Sequence, residues 1–262
     1  MNANVEQWDS FADDYDRYRP QPPAELVNLL SQLARVARPF LVVDLGCGTG
    51  LATRLWADHA TQVIGIEPNQ NMRYIAEAQT SASIITYQSG YGHDTGLPND
   101  CADIVTAANS LQWMEPQPTV AEVTRILRPG GVFAQIDFKW PMTGDWEIEL
   151  AIHEAKRRCD EIEKKLSLHP LQRFNTSQHF ELMQTSGAFR YTNEMALHRV
   201  QSGSPEQVVG LLKTDSGFQR VLKHGVSEDE LGLTGLRQVA DRVMGNEPKG
   251  WYFSYRVRLA VK

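Results

Sequence analysis

The sequence predicts a doubly wound α/β fold, a mostly parallel sheet with helices on both faces, from three observations. Short apolar runs rich in β-branched residues alternate with helical stretches along residues 41–136 and are joined by short links; this is the sequence form of strand–helix–strand units. The first run, Leu41-Val42-Val43, is the kind that a central parallel strand buries on both faces. It passes through Asp44 into a glycine-rich turn, Gly46-Cys47-Gly48-Thr49-Gly50. A helical pattern from Leu51 to Trp56 follows, so the turn would deliver free backbone N–H groups at a helix start.

The elements follow in order. Trp8, Phe11 and Tyr15 recur at three- and four-residue spacing within residues 6–20, which predicts a short amphipathic helix with one aromatic face, broken by Tyr18-Arg19-Pro20. It is either a cap packed on the domain edge or a flap that closes over a ligand with Tyr15, Tyr18 and Arg19. A helix over 22–37 carries the stripe Leu26, Leu29, Leu30, Leu33 and Val36, with Pro22-Pro23 at its start and Pro39 closing it. After the glycine turn come a helix over 51–59, a strand over 62–67 ending in Glu67, a helix over 70–79, a strand over 84–87 and a loop over 88–99. A strand over 102–107, a helix over 119–127 stopped by Arg128-Pro129-Gly130-Gly131, and a strand over 132–136 complete the rhythm. Ligands in such sheets bind at the carboxyl ends of the strands.

Beyond Asp137 the rhythm changes. Residues 144–166 read as one charged helix whose inner side is Leu150, Ile152, Ala155, Cys159, Ile162 and Leu166. A helix over 176–186 stops at Gly187, strand character runs from Phe189 to Val200, and Ser204-Pro205 start a helix through Leu212. A helix over 227–244 and a final strand over 251–261 follow. The expected organisation is one domain: a helical cap (1–38), a cofactor-binding α/β core (39–138), a helical insert or lid (139–186), and C-terminal strands with a helical insert (187–262).

Composition is that of a globular chain: 262 residues, 42% hydrophobic, 22% charged. A net charge of -6 argues against nucleic acid or an anionic membrane as the main partner, since both reward a basic surface. No apolar run reaches the roughly 18 residues that a membrane span needs, and the acidic, polar start MNANVEQWDSFADDYD is unlike a targeting peptide. Three cysteines, Cys47, Cys101 and Cys159, have no metal-ligand spacing; no metal site is expected, and the compartment expected is a reducing cytoplasm.

The glycines are spaced G-x-G-x-G, not the G-x-G-x-x-G on which a pyrophosphate sits. Glu67 ends the next strand about twenty residues on, where an acid can accept both hydroxyls of a ribose. Val42-Val43-Asp44-Leu45-Gly46-Cys47-Gly48-Thr49-Gly50 followed by Gly65-Ile66-Glu67-Pro68-Asn69-Gln70-Asn71-Met72 resembles the first two motifs of the class I S-adenosylmethionine-dependent methyltransferases. The resemblance extends through Leu97-Pro98, Asp103-Ile104-Val105 and Arg125–Gly131, so it covers residues 8–137 well and the remainder loosely. Ala108–Trp113 and Ser204–Leu212 are similar to stretches of the trans-aconitate methyltransferase-like, type 11 group; the first is also similar to the malonyl-carrier-protein methyl ester formers.

The resemblance implies a Rossmann-like seven-stranded sheet with its last strand antiparallel, and S-adenosyl-L-methionine as cofactor. It also implies roles. Asp44 would anchor the glycine turn and, through water, the methionine ammonium; Gly46, Cys47, Gly48 and Gly50 would bring backbone to the methionine part and the ribose. Glu67 would hold the ribose hydroxyls, and Pro68 and Met72 would press on the adenine. Asn109 would help hold the methionine end through its carbonyl, and Trp113 would sit between cofactor and acceptor. Tyr15 and Arg19 match a Y-D-x-x-R-P element that is one residue longer here, so either Tyr15 or Tyr18 covers the cofactor. The third loop, Gly92-His93-Asp94-Thr95-Gly96-Leu97-Pro98, departs from G-D-A-E-x-L-P: either Asp94 meets the adenine amino group, or backbone and His93 do.

Methyl transfer to a small-molecule acceptor, at a carboxylate or hydroxyl oxygen, is the activity this implies, by a monomer or homodimer with no nucleic-acid or membrane partner. The alternatives are a non-catalytic cofactor-binding scaffold and methylation of nucleic acid or protein. A carboxylate is ionised at neutral pH and needs no base, whereas a hydroxyl wants one. His93, His153, His169 and His179 are the histidines available, none with a motif behind it, so no catalytic residue is assigned. Arg157 and Arg158, on a helix face of mixed charge, either pair with neighbouring acids or reach an anionic substrate.

Overall fold

The computed structural model describes Val5, Trp8 and residues 11–142, 144–168, 171–245 and 249–262. Its strands are β1 (Leu41–Leu45), β2 (Gln62–Ile66), β3 (Ile85–Gln88), β4 (Ala102–Ala108), β5 (Leu127–Phe138), β6 (Tyr191–Gly203) and β7 (Lys249–Val261). They form one seven-stranded sheet in the order β3-β2-β1-β4-β5-β7-β6. The first five pair in parallel. The last strand in sequence, β7, inserts antiparallel between β5 and β6, through ladders that include Phe133↔Ala260 and Met195↔Val257.

The helices are α1 (Ala12–Tyr18), α2 (Glu25–Leu33), α3 (Gln70–Ala78), α4 (Pro116–Ile126), α5 (Trp146–Lys165), α6 (Thr176–Thr185), α7 (Pro205–Lys213), α8 (Ser216–Lys223) and α9 (Leu233–Met244). Strand side chains alternate between the two faces. Val42, Val63, Ile104, Ala134 and Val257 pack with α2, α5, α7, α8 and α9 on one face. Val43, Ile64, Val105 and Phe133 pack with α4 and Met183 of α6 on the other. All five residues of β1 are buried, as a strand covered on both faces requires. Residues 205–213 start as the sequence suggests: Ser204 accepts the Gln207 N–H, and Gln207 returns a bond to the Ser204 N–H.

Several elements differ from the expectation. Residues 51–59 hold a single 3-10 turn, Thr53–Trp56, in place of an α-helix. Thr53 and Trp56, three apart, are both buried, and a 3-10 turn is the helix that aligns i with i+3. The helix expected at 119–127 begins at Pro116, a first-turn proline, and ends at Ile126. Arg128–Gly131 do not separate it from a strand but belong to β5, whose register on β4 shifts between Ala102 and Ile104. On α5 the inner side is Ile148, Ile152, Ala155 and Cys159, while Leu150 and Leu166 are 60% and 42% exposed: Leu150 sits half a turn from Ile148, and Leu166 has passed the helix end. The helix expected at 227–244 starts only at Leu233, after Gly232 at φ +76°. Ahead of it the chain forms α8, capped by Asp215, whose carboxylate accepts the Gly217 N–H at 2.9 Å.

Candidate functional site

The carboxyl ends of β1, β2, β4 and β5 open into a cavity of about 300 Å³. Of the residues expected at the site, Tyr15, Arg19, Asp44, Gly46, Cys47, Gly48, Glu67, Pro68, Met72, His93, Asn109 and Trp113 all line it; Gly50 and Asp94 do not.

Asp44, at the end of β1, is fully buried. Its Oδ1 accepts the Thr106 hydroxyl and its Oδ2 the Thr53 hydroxyl, both at 2.7 Å. Burial pushes its pKa up to about 6 against those two bonds. Glu67, just past β2, is buried too: Oε2 accepts the Gly48 N–H at 3.0 Å and Oε1 the Asn69 N–H at 2.9 Å. Burial raises it to about 6 as well, and Asp44 adds to the rise. Asn69 caps α3 by accepting the Met72 N–H at 2.9 Å, which sets Met72 in the cavity wall.

The glycine turn runs through left-handed backbone at Gly46, Gly48 and Gly50, with φ +61°, +57° and +83°. A Cβ on Gly46 would lie 2.6 Å from Met114 Cε and 2.7 Å from Ser110 Cβ; one on Gly50 would lie 2.3 Å from the Tyr87 hydroxyl. A Cβ on Gly48 would meet only Met72 Cε, at 3.8 Å. Gly46 and Gly50 are therefore required by the protein's own packing, whereas Gly48 keeps open space beside Glu67 and Met72.

Asn109 takes φ +52° at the end of β4 and uses its side chain inside the protein, its Oδ1 accepting the Phe138 N–H at 2.7 Å. Its carbonyl accepts from Gln112 Nε2 at 2.8 Å. In the third loop, Asp94 exchanges backbone bonds with Tyr91 at 3.1 and 3.0 Å, and the His93 ring stacks on Tyr91 with centroids 5.5 Å apart. That hairpin turns His93 toward the cavity and leaves Asp94 outside the lining.

The N-terminal aromatic face covers the site: Trp8 meets Tyr15 and Trp113 edge-on, with centroids 5.6 and 5.9 Å apart. Asp16 pairs with Arg54 at 2.7 Å, and Arg54 also donates to the Thr49 carbonyl, so α1 is fastened to the glycine turn. Arg19 donates to the Thr214 hydroxyl and carbonyl at 2.8 and 3.0 Å and lies between the Tyr15 and Trp140 rings. Tyr18 points elsewhere: its ring lies against Gly210 and its hydroxyl donates to Glu206 at 2.8 Å. Of the two tyrosines, Tyr15 is the one that lines the cavity.

Phe138, Gln172 and Phe174 line the cavity without having been expected there. Phe138 carried a signal, since it ends a strand at the ligand edge; Gln172 and Phe174 lie between two helices and carried none. Among the histidines, His93 alone of the described ones lines the cavity. His153 is exposed on α5, and His179 is fully buried on the inner side of α6, where burial pushes it down to about 4. His169 lies outside the described residues. Arg157 and Arg158 are held by Glu154, and Arg157 also by Glu161; they form a paired surface, not a substrate anchor.

The cavity fits an S-adenosylmethionine. Two buried carboxylates face it, neither in a salt bridge to a cation among the described residues, and the cofactor brings an ammonium and ribose hydroxyls to such groups. Thr49 Oγ1 and Trp113 Nε1 are buried without hydrogen-bond partners among the described residues, and both residues line the cavity.

Residues 43–135 match a family model described as a methyltransferase domain. The chain is 34% identical over 139 residues to a probable S-adenosylmethionine-dependent methyltransferase, CRG1, of Saccharomyces cerevisiae, a stretch covering 51% of this chain and 46% of that protein. It thus spans about half the length of the curated relatives it matches. In fold it resembles a putative type II methyltransferase from Anaeromyxobacter dehalogenans, with a TM-score of 0.70, 21% identity, and coverage of 93% of this chain and 98% of that one. It also resembles the [4+2]-cyclase SpnF, with a TM-score of 0.54, 17% identity, and coverage of 100% and 96%. No helix among the described residues is long and apolar enough to cross a membrane.

Proposed function

We propose that this chain, whose residues 43–135 match a methyltransferase domain, is a class I S-adenosylmethionine-dependent methyltransferase that methylates a small-molecule acceptor at a carboxylate or hydroxyl oxygen. The observation that carries the proposal is the placement of Asp44, the glycine turn, Glu67, Met72 and Trp113 around one cavity at the strand ends. When bound, S-adenosylmethionine supplies a methyl on a sulfonium, displaced in line by the acceptor with a neutral thioether leaving.

In this proposal the protein's residues position more than they react. Asp44, held by two threonine hydroxyls, turns its carboxylate to the methionine ammonium. Glu67 takes the ribose hydroxyls beside the Gly48 N–H it already accepts. Pro68 and Met72 press on the adenine, with His93 at its edge. Asn109 holds the turn at the methionine end, while Tyr15, Arg19 and Trp113 close the space and exclude water. Aligning reacting atoms at about 3–3.5 Å is itself a large part of a transfer barrier. Aromatic rings beside a sulfonium add about 1 kcal/mol. A carboxylate acceptor needs no base, and no catalytic residue is assigned. The unpaired cysteines fit a reducing, cytoplasmic setting, and the net charge of -6 fits a small acceptor better than nucleic acid or an anionic membrane.

The test is incubation with S-adenosylmethionine and a panel of small acids, phenols and amines, read by mass spectrometry for one added methylene and for S-adenosylhomocysteine. Conversion of one acceptor supports the proposal; cofactor binding without conversion of any acceptor removes it. The alternative reading is a scaffold that binds the cofactor without methyl transfer. Any turnover to S-adenosylhomocysteine excludes that reading.

A further inference from the structure

The cavity wall has three origins, one of them the N-terminal segment that carries Tyr15 and Arg19. Asp44, Gly46, Gly48, Glu67, Pro68 and Met72 come from the strand ends of the core, inside the 43–135 segment matched by the methyltransferase model. Gln172 and Phe174 come from outside that segment, on the stretch between α5 and α6. This stretch alternates. Gln172 and Phe174 face the main cavity, while Leu171 and Arg173 line a second, polar one beyond it. Residues 171–174 are therefore a thin wall, closing the site on a side that the shared cofactor machinery does not reach.

The wall is held rigidly to the turn after β4. The Phe174 N–H donates to the Gln112 carbonyl at 2.8 Å, and Gln112 Nε2 donates to the Asn109 carbonyl at 2.8 Å. Arg173 lays its guanidinium over the Trp113 ring, 4.8 Å from its centroid, and donates to the Ser216 hydroxyl. Asn175, the next residue, caps α6 by accepting the Ser177 N–H at 3.0 Å. The backbone at Phe174 and the side chain of Arg173 are thus fixed in place. A pocket whose cofactor half lies in the matched domain and whose far wall comes from a loop outside it can select its substrate through that wall.

Resting on the proposed methyl transfer, we infer that residues 171–174 are the acceptor-selecting wall of this site. Phe174 is its specificity residue, and Gln112 is a positioning residue: its backbone carbonyl accepts the Phe174 N–H, and its side chain steadies that turn through the Asn109 carbonyl. Phe174 acts by shape and apolar contact with the acceptor and does not touch the cofactor.

The test compares wild type with Phe174→Ala, Phe174→Leu and Gln112→Ala. S-adenosylhomocysteine affinity is measured by calorimetry, folding by thermal melting, and acceptor kinetics on the panel above. Phe174→Ala is expected to lower kcat/KM for the best acceptor at least tenfold, mostly through acceptor KM, with S-adenosylhomocysteine affinity within twofold. Phe174→Leu, which keeps apolar bulk, is expected to reorder the ranking of acceptors at an unchanged melting temperature. Gln112→Ala, which keeps the carbonyl that holds Phe174 but removes the side-chain bond to the Asn109 carbonyl that steadies the turn, is expected to raise acceptor KM with kcat within threefold. An unchanged acceptor ranking in both Phe174 variants overturns the inference, and so does a tenfold loss of S-adenosylhomocysteine affinity in Phe174→Leu. If wild type binds S-adenosylhomocysteine but converts no acceptor, the methyl-transfer proposal falls and this inference with it; altered wild-type ranking is the issue only when wild type turns over.

Discussion

The Glu67 carboxylate accepts the Gly48 backbone N–H at 3.0 Å, tying the end of β2 to the middle of the glycine turn on β1. The second oxygen accepts the Asn69 N–H at 2.9 Å. One acidic side chain therefore shapes the turn and starts α3, and its remaining lone pairs are available to a ligand in the cavity. Hydrogen bonds to charged groups contribute about 1.5–3 kcal/mol each. Glu67→Gln puts an amide where two backbone N–H groups need acceptors. We expect S-adenosylhomocysteine affinity to fall about 10- to 100-fold on that scale, measured by calorimetry, with a lowered melting temperature.

Cofactor affinity should depend on pH in a stated direction. Burial raises Asp44 and Glu67 to about 6, above their ordinary values. Both are ionised at pH 7.5 and able to accept from the ammonium and the ribose hydroxyls. As pH falls through about 6 they protonate and lose that capacity. Affinity for S-adenosylhomocysteine should be flat above pH 7 and fall by up to about tenfold per group by pH 5. For stability the sign is opposite: raised folded-state values mean that ionising these two groups disfavours the empty fold, so their contribution weakens as pH rises from 4 to 6. Calorimetry and thermal melts across pH 5–8 check both.

The three glycines of the turn should separate into two kinds. Gly50→Ala pushes a Cβ to within 2.3 Å of the Tyr87 hydroxyl, and Gly46→Ala to within 2.6 Å of Met114. Both also strain a left-handed residue, at about 1–2 kcal/mol, so both should lower the melting temperature strongly. Gly48→Ala carries the same backbone strain but no clash in the protein. Its melting temperature should fall least of the three, while its S-adenosylhomocysteine affinity falls at least tenfold. Equal affinity in Gly48→Ala and wild type would mean the ligand does not approach this backbone.

Glu122 fastens the loop of residues 88–99. Its Oε1 accepts the Thr95 N–H at 2.9 Å and the Thr95 hydroxyl, and Arg125 donates to both of its oxygens at 2.7 Å. Burial alone would raise its pKa, but the Arg125 and Thr95 hydrogen bonds outweigh it and hold the carboxyl at about 2. Because the folded value is depressed, this stabilisation is present above the ordinary glutamate range and is lost as pH falls from about 4.5 towards 2. Glu122→Gln should cost about 2 kcal/mol at neutral pH, or about 4–8 °C in melting temperature. It should also flatten the acid limb of the stability profile, as thermal melts between pH 3 and 7 would show.

The parts of the molecule that could be read from residue order are those made by neighbours along the chain. Val42-Val43-Asp44 announces a buried strand, Gly46 to Gly50 a turn, Ser204-Pro205-Glu206-Gln207 a capped helix. Glu67 could be placed at the carboxyl end of the second strand because strand lengths and links set it there. Thr53–Trp56 departs from the predicted helix because the choice between an α-helix and a 3-10 turn depends on two requirements beyond local periodicity: burial of Trp56, and the bond from Thr53 to Asp44.

The sequence by itself determined the parallel strand rhythm, the glycine turn and the acids at the strand ends, since short-range periodicity and backbone sterics specify them. Only the tertiary structure decided which tyrosine faces the cavity, that the Tyr91–Asp94 pairing turns His93 inward, and that Asn109 uses its side chain on β5. It alone placed Phe174 in the wall of the cavity that the glycine turn also lines. Those outcomes depend on contacts between segments tens of residues apart, such as Phe174 with Gln112 and Arg19 with Thr214. Such contacts leave no periodic trace, because the sum of packing and hydrogen bonding over the whole fold selects them.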